Sequence, residues 1–214
     1  MKNWKLLALV LAMFGVPGLV IGFRELGRPG GDVAAAFVEL AMFALTGVAI
    51  WIARTKQGLS WAQLGLARPR AAQTAGLTLL GFAGVAVVIA ACFGLFRLLG
   101  WSYGEGDGVE RPMWLFTLMI VRAGTVEELT YRAIAIDHTA DVTGSKVLGW
   151  LIPGLLFGVA HYSQGPPGIV IATTSGLALS ALYLWKRNLW ANFAIHFIVD
   201  FVPNVLLPLL GVGE

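Results

Sequence analysis

Apolar runs at about 4–23, 33–53, 71–96, 112–136, 147–162, 168–185 and 189–210 divide the chain, and polar residues gather in the short stretches between them. A helix advances ~1.5 Å per residue and satisfies its own backbone hydrogen bonds, so runs of this kind cross a hydrocarbon core of roughly 30 Å as α-helices. The pattern predicts an all-α polytopic membrane helix bundle with seven or eight transmembrane helices. The eighth arises if Pro203 and Pro208 break the last run into a span and a short re-entrant piece. Residues 60–66 are too few and too mixed to cross. Their Trp61, Leu64 and Leu66 fit a helix lying at the membrane interface.

Composition agrees with the pattern. The chain is 57% hydrophobic and 13% charged, with a mean hydropathy of +0.77, where a soluble domain carries about 25% charged residues. The net charge of +3 lies in loops between apolar runs, which argues against a nucleic-acid partner. Cys92 is the single cysteine, so no disulfide framework exists. Lys2 and Lys5 followed by an apolar run to Phe23 look like a signal peptide, but no small-x-small cleavage site follows, and an uncleaved first span is expected. Lys2, Lys5, Arg54, Lys56, Arg68, Arg70, Lys146, Lys186 and Arg187 fall on one side of the bundle. Arg24, Arg28, Arg97 and Arg111 fall on the other, diluted by Glu25, Asp32, Glu105, Asp107 and Glu110. The side with more Lys and Arg is the cytoplasmic one, which places the N-terminus in the cytoplasm. Trp51, Trp101, Trp114, Trp185 and Trp190 read as interfacial anchors, and His138 as a solvated loop residue.

Residues 124–132 break the apolar order. A carboxylate or guanidinium in hydrocarbon costs roughly 2.5–3.5 kcal/mol on insertion scales, so such groups face the bundle interior and act there. On a helix Glu128 and Arg132 share a face and can pair. Glu127 points about 100° away, outside that pairing. Further along, His161 ends one apolar run, and His196 and Asp200 share a face of another. Gly154 and Gly158 precede His161 on its face, and close backbone approach there would hold the imidazole against a neighbouring helix. A hairpin turning near residue 142 sets Glu127 opposite Phe157 and His161 about one turn away. Glu127, His161 and His196 can then converge. A buried Glu beside a His can activate water, and a second His can donate to an oxyanion. The same three residues could instead ligate zinc, although no His-Glu-x-x-His motif is present.

Glu127-Glu128-x-x-x-Arg132, Phe157-x-x-x-His161 and His196-x-x-x-Asp200 resemble, in order, the three motifs of the CAAX prenyl protease and bacteriocin-processing (CPBP) family of intramembrane endopeptidases. The resemblance covers roughly residues 112–202. It implies residues 1–111 as N-terminal membrane helices (three spans plus the interfacial helix) and residues 112–214 as a catalytic membrane helix core, within one structural domain. It further implies a cavity opening toward the cytoplasm, water activated by Glu127 and His161, an oxyanion held by His196 and the residue at Asp200, and Glu128 and Arg132 in support. Two positions depart from the family pattern: Ala133 stands where Gly is frequent, and Asp200 where Asn is common. An ionised Asp repels an oxyanion, so Asp200 is expected to orient His196 through its ring N–H. Arg122 has no counterpart in the motifs and is the candidate charge partner of Asp200.

The expected function is hydrolysis of a peptide bond in a membrane-anchored or membrane-associated protein or peptide. A metal-free water is favoured over zinc held by Glu127, His161 and His196. The expected location is the plasma membrane of a bacterium or archaeon. The competing readings are a catalytically silent scaffold or immunity protein on the same fold and a small transporter. A transporter would bring inverted repeats and paired broken helices, and neither is visible.

Overall fold

The computed structural model describes residues 2–26, 30–103 and 111–211, without the side chains of Lys2 and Glu25. Of the loop charges that set the orientation, Arg28, Glu105, Asp107 and Glu110 lie outside the described residues, as do those two side chains. Among the described residues there is no strand. The helices are α1 (residues 2–25), α2 (Gly31–Thr55), α3 (Ala71–Leu99), α4 (residues 113–143), α5 (Lys146–Ala160), α6 (Gly165–Lys186) and α7 (residues 189–209). Among the described residues, five helical stretches are long and apolar enough to cross a membrane: Asn3–Arg24, Gly31–Thr55, Ala71–Leu99, Tyr162–Lys186 and Leu189–Leu209. α4 differs in carrying Arg122, Glu127, Glu128 and Arg132, and α5 in having only 15 residues.

Lipid offers no hydrophobic force between helices, so close contact through small residues does that work. α5 and α6 show it. A side chain at Gly154 would meet Leu177, and one at Gly158 would overlap Thr173 and lie 3.0 Å from the Ile169 carbonyl. The Trp150 indole donates to the Leu177 carbonyl at 3.1 Å across the same seam. α3 closes the bundle against α6 and α7. There Gly81 faces Leu182 and Ile195, and Cys92 meets Thr174 at 3.4 Å.

Four local features differ from the apolar pattern. α4 runs on to Thr143, and the hairpin turns at Gly144, in the left-handed conformation, and Ser145, whose hydroxyl caps α5. The later turn puts Phe157 beside Tyr131, ring centroids 5.0 Å apart, and raises His161 toward the height of Glu127. His138 is not a solvated loop residue. It is buried on the extended α4 and meets Gln57 at 2.9 Å. Residues 61–65 form turns instead of an interfacial helix. Ser60 and Gln63 cap each other, Gly65 (φ +75) ends the turn, and Leu64 is driven fully into the core with Tyr183 and Leu189. Finally, Pro203 does not break α7, because the π turn Val202–Leu206 takes up its missing donor. The tryptophans read as anchors, Trp51, Trp101, Trp114, Trp185 and Trp190, are all exposed.

Gly158→Ala should lower the thermal midpoint in detergent, since overpacking costs about 1–3 kcal/mol, more than the ~1 kcal/mol that alanine gains over glycine in a helix. Gly84→Ala, with open space around its Cβ, should leave the midpoint unchanged or raise it. Equal behaviour of the two variants would refute the close α5–α6 contact.

Candidate active site

Two π turns, Ala123–Glu127 and Leu129–Ala135, interrupt α4. A π turn admits one extra residue, so side chains five apart gain the alignment that four apart have in an α-helix. Arg122 and Glu127 therefore face the same way, and the Arg122 Nη1 donates to Glu127 Oε1. The Arg122 Nε donates to Glu39 Oε2 on α2 at 2.6 Å. This corrects two expectations. Glu127 is not left unpaired, and the charge partners of Arg122 are Glu39 and Glu127, not Asp200.

The second pair matches its spacing. Arg132 Nη1 lies 2.9 Å from Glu128 Oε1, and both side chains are fully buried. Arg132 Nη2 also donates to the Gly176 carbonyl at 3.0 Å. Glu128 has further partners on α7: Oε1 accepts from His196 Nδ1 at 2.7 Å, and Oε2 accepts from Asn192 at 3.2 Å. A carboxylate oxygen can only accept here, so the Nδ1 of His196 carries a proton. Its Nε2 then turns toward Glu127 Oε2, 3.8 Å away, and Asp200 Oδ2, 3.5 Å away. The short bond that orients the ring thus comes from Glu128, where Asp200 was expected. Glu127 Oε2 is buried with no hydrogen-bond partner.

His161 stands at the C-terminal end of α5, its Nδ1 donating to the Phe157 carbonyl at 2.8 Å. A carbonyl oxygen can only accept, so Nδ1 carries a proton and Nε2 is the ring nitrogen left for other partners. No ion pair joins His161 to Glu127 among the described residues, and His161 meets the cluster through Phe157. Phe157 is the hub of the cluster. Its ring lies 4.7 Å from that of His161 and 6.1 Å from that of His196, and the Arg132 guanidinium sits over it at 4.8 Å. Gly176 makes room for this ring, since a Cβ there would fall 2.7 Å from Phe157 Cδ1.

The structure therefore gathers Glu127, Glu128, Arg132, His196 and Asp200 into one network, with His161 at its edge. Among the described residues, no three His, Cys, Asp or Glu side chains are grouped as ligands of one metal ion. Three participants were not read from the sequence. Glu39 left a signal, a lone acid inside the apolar run of α2. Asn192 shares a helix face with His196 and could have been found by that spacing. Gly176 left none.

An all-helical bundle with membrane-length helices and a buried Glu–His–Arg network is the class of protein defined so far. Residues 109–202 match the family model of Type II CAAX prenyl endopeptidases, Rce1-like. This is the family group that the three motifs resemble, and residues 109–202 are similar to it. No curated protein and no solved structure matches the chain.

Glu39→Leu should strip Arg122 of one buried partner. Breaking such a pair costs about 3–5 kcal/mol, so the thermal midpoint should fall well below that of Glu39→Gln, which keeps an acceptor for Nε. Matching midpoints for the two variants would show that the Glu39 contact carries no weight.

Proposed function

We propose that the chain is an intramembrane endopeptidase that hydrolyses a peptide bond in a membrane-anchored or membrane-associated polypeptide. The observation that carries the reading is the buried Oε2 of Glu127, which has no hydrogen-bond partner and lies 3.8 Å from the His196 Nε2, a nitrogen that also has the Asp200 carboxylate 3.5 Å away. Arg122 fixes the other oxygen of Glu127, so Oε2 is the atom free to accept a proton from water. The water oxygen attacks the substrate carbonyl carbon, and the displaced π electrons collect on oxygen. An Nε2–H of His196, its ring held by Glu128, donates to that oxyanion. Collapse breaks the C–N bond, and the proton held by Glu127 passes to the departing nitrogen. His161, whose Nε2 is not engaged by the Phe157 carbonyl, assists in holding the water. Asp200 faces the same nitrogen of His196 as Glu127, and sets its proton rather than touching the oxyanion. In this reading the membrane is that of a bacterium or archaeon, the N-terminus is cytoplasmic, and α4 and α5 cross beside the five longer spans.

A metal-free water is the favoured nucleophile, and zinc held by Glu127, His161 and His196 is the alternative. A silent scaffold is the second reading, favoured by the pairing of Glu127 with Arg122, which is also how a structural carboxylate is satisfied.

Cleavage of a membrane-anchored peptide library or proteome should be abolished by Glu127→Gln and by His161→Ala, and retained by Trp114→Phe. Identical products from the wild type and Glu127→Gln would end the peptidase reading in favour of the scaffold. A chelator should leave the wild-type products unchanged, and their loss on chelation would assign the nucleophile to a metal.

A further inference from the structure

The contacts between α2 and α4 form two facing stripes. Glu39 meets Arg122, Met42 shares a buried cluster with Val126, and the Thr46 and Thr130 hydroxyls lie 3.5 Å apart. All six side chains are buried. From Glu39 to Thr46 α2 advances seven residues, and from Arg122 to Thr130 α4 advances eight. The extra one is the residue that the π turn Ala123–Glu127 admits. α2 therefore grips α4 on both sides of the turn that aims Glu127.

Arg122 is divided between two carboxylates. Its Nε donates to Glu39 Oε2 at 2.6 Å, and its Nη1 donates to Glu127 Oε1. A guanidinium is a rigid planar fork, so two bonds from different nitrogens fix both its plane and its turn. Glu127 thus receives this arginine at Oε1, and Oε2 stays without a hydrogen-bond partner. An arginine facing one carboxylate closes on it with two parallel N–H···O bonds, the strongest geometry such a pair has. Arg122 already lies against Glu127 and would close in this way once released from Glu39. Oε2 would then accept a guanidinium N–H, where the reaction needs it to accept from water.

We propose that Glu39 is a positioning residue of the hydrolysis. By holding the Arg122 Nε it keeps that arginine from closing on both oxygens of Glu127, and so keeps Oε2 open to the nucleophilic water. The inference rests on the peptidase reading above and extends it to α2. Glu39 lies outside residues 109–202, which carry the family match, so the site draws on the N-terminal half of the chain as well. Glu39 touches neither the substrate nor the reacting atoms, and its effect reaches the reaction through Arg122.

Turnover of a membrane-anchored peptide that the wild type cleaves tests this, measured on variants that elute as single species and below each thermal midpoint. Glu39→Leu releases the Arg122 Nε. Glu39→Asp keeps the charge of the pair but draws the carboxylate back by one methylene, and takes its place should Glu39→Leu not be recovered folded. Either should lower kcat by about 100-fold, the effect of a small misplacement at a reacting centre, with KM unchanged. Glu39→Gln, which keeps an acceptor at the same reach, should recover most of that turnover. A wild-type kcat in the released variants, a loss carried by KM, or an equal loss in Glu39→Gln overturns the inference. Absence of cleavage by the wild type, or cleavage that survives Glu127→Gln, ends the peptidase reading and this inference with it. Glu127-dependent cleavage that ignores Glu39 ends the inference alone.

Discussion

A charge placed in hydrocarbon has to find its counter-charge inside the protein, and that requirement organises this bundle. α4 brings two arginines and two glutamates into the apolar interior. Glu39 from α2 and His196 and Asn192 from α7 complete their partners. Removing one partner of a buried ion pair costs about 3–5 kcal/mol, a large share of the roughly 5–15 kcal/mol that hold a domain together. The helices are thus arranged by polar contacts at mid-depth, and the glycine seams let the backbones approach closely enough for those contacts to form.

The division of labour in the network follows from which atoms are already taken. Glu128 spends both oxygens on His196, Asn192 and Arg132 and has none to offer a substrate. Glu127 gives one oxygen to Arg122 and keeps the other. Two adjacent carboxylates thereby acquire different chemistry with no difference in residue type. The first π turn of α4 produces this outcome, because in an unbroken α-helix Arg122 and Glu127 would point about 140° apart. π turns recur at functional sites for such reasons.

Much of this was legible in the sequence, and the misses have physical causes. The all-helical class and most helix boundaries followed from apolar run length, whereas among the described residues five helices, not seven or eight, have the length and composition of a span. The Glu128–Arg132 pair followed from α-helical spacing, and the placing of Glu127, His161 and His196 in one neighbourhood from three short motifs. The pairing of Arg122 with Glu127 could not be read, because α-helical geometry forbids it and nothing local announces a π turn. The role given to Asp200 went to Glu128 because helix-face arguments see only neighbours within one helix, and the contact to His196 crosses between two. His138 was misread for a related reason. The end of the apolar pattern at residue 136 marks where hydrocarbon contact ceases, not where the helix does.

The position of Phe157 has a mechanical consequence. One aromatic ring is the shared seat of a guanidinium and two imidazoles, contributed by three different helices. Loss of that ring would therefore reach the guanidinium and both imidazoles at once, although the chain delivers them from three separate helices.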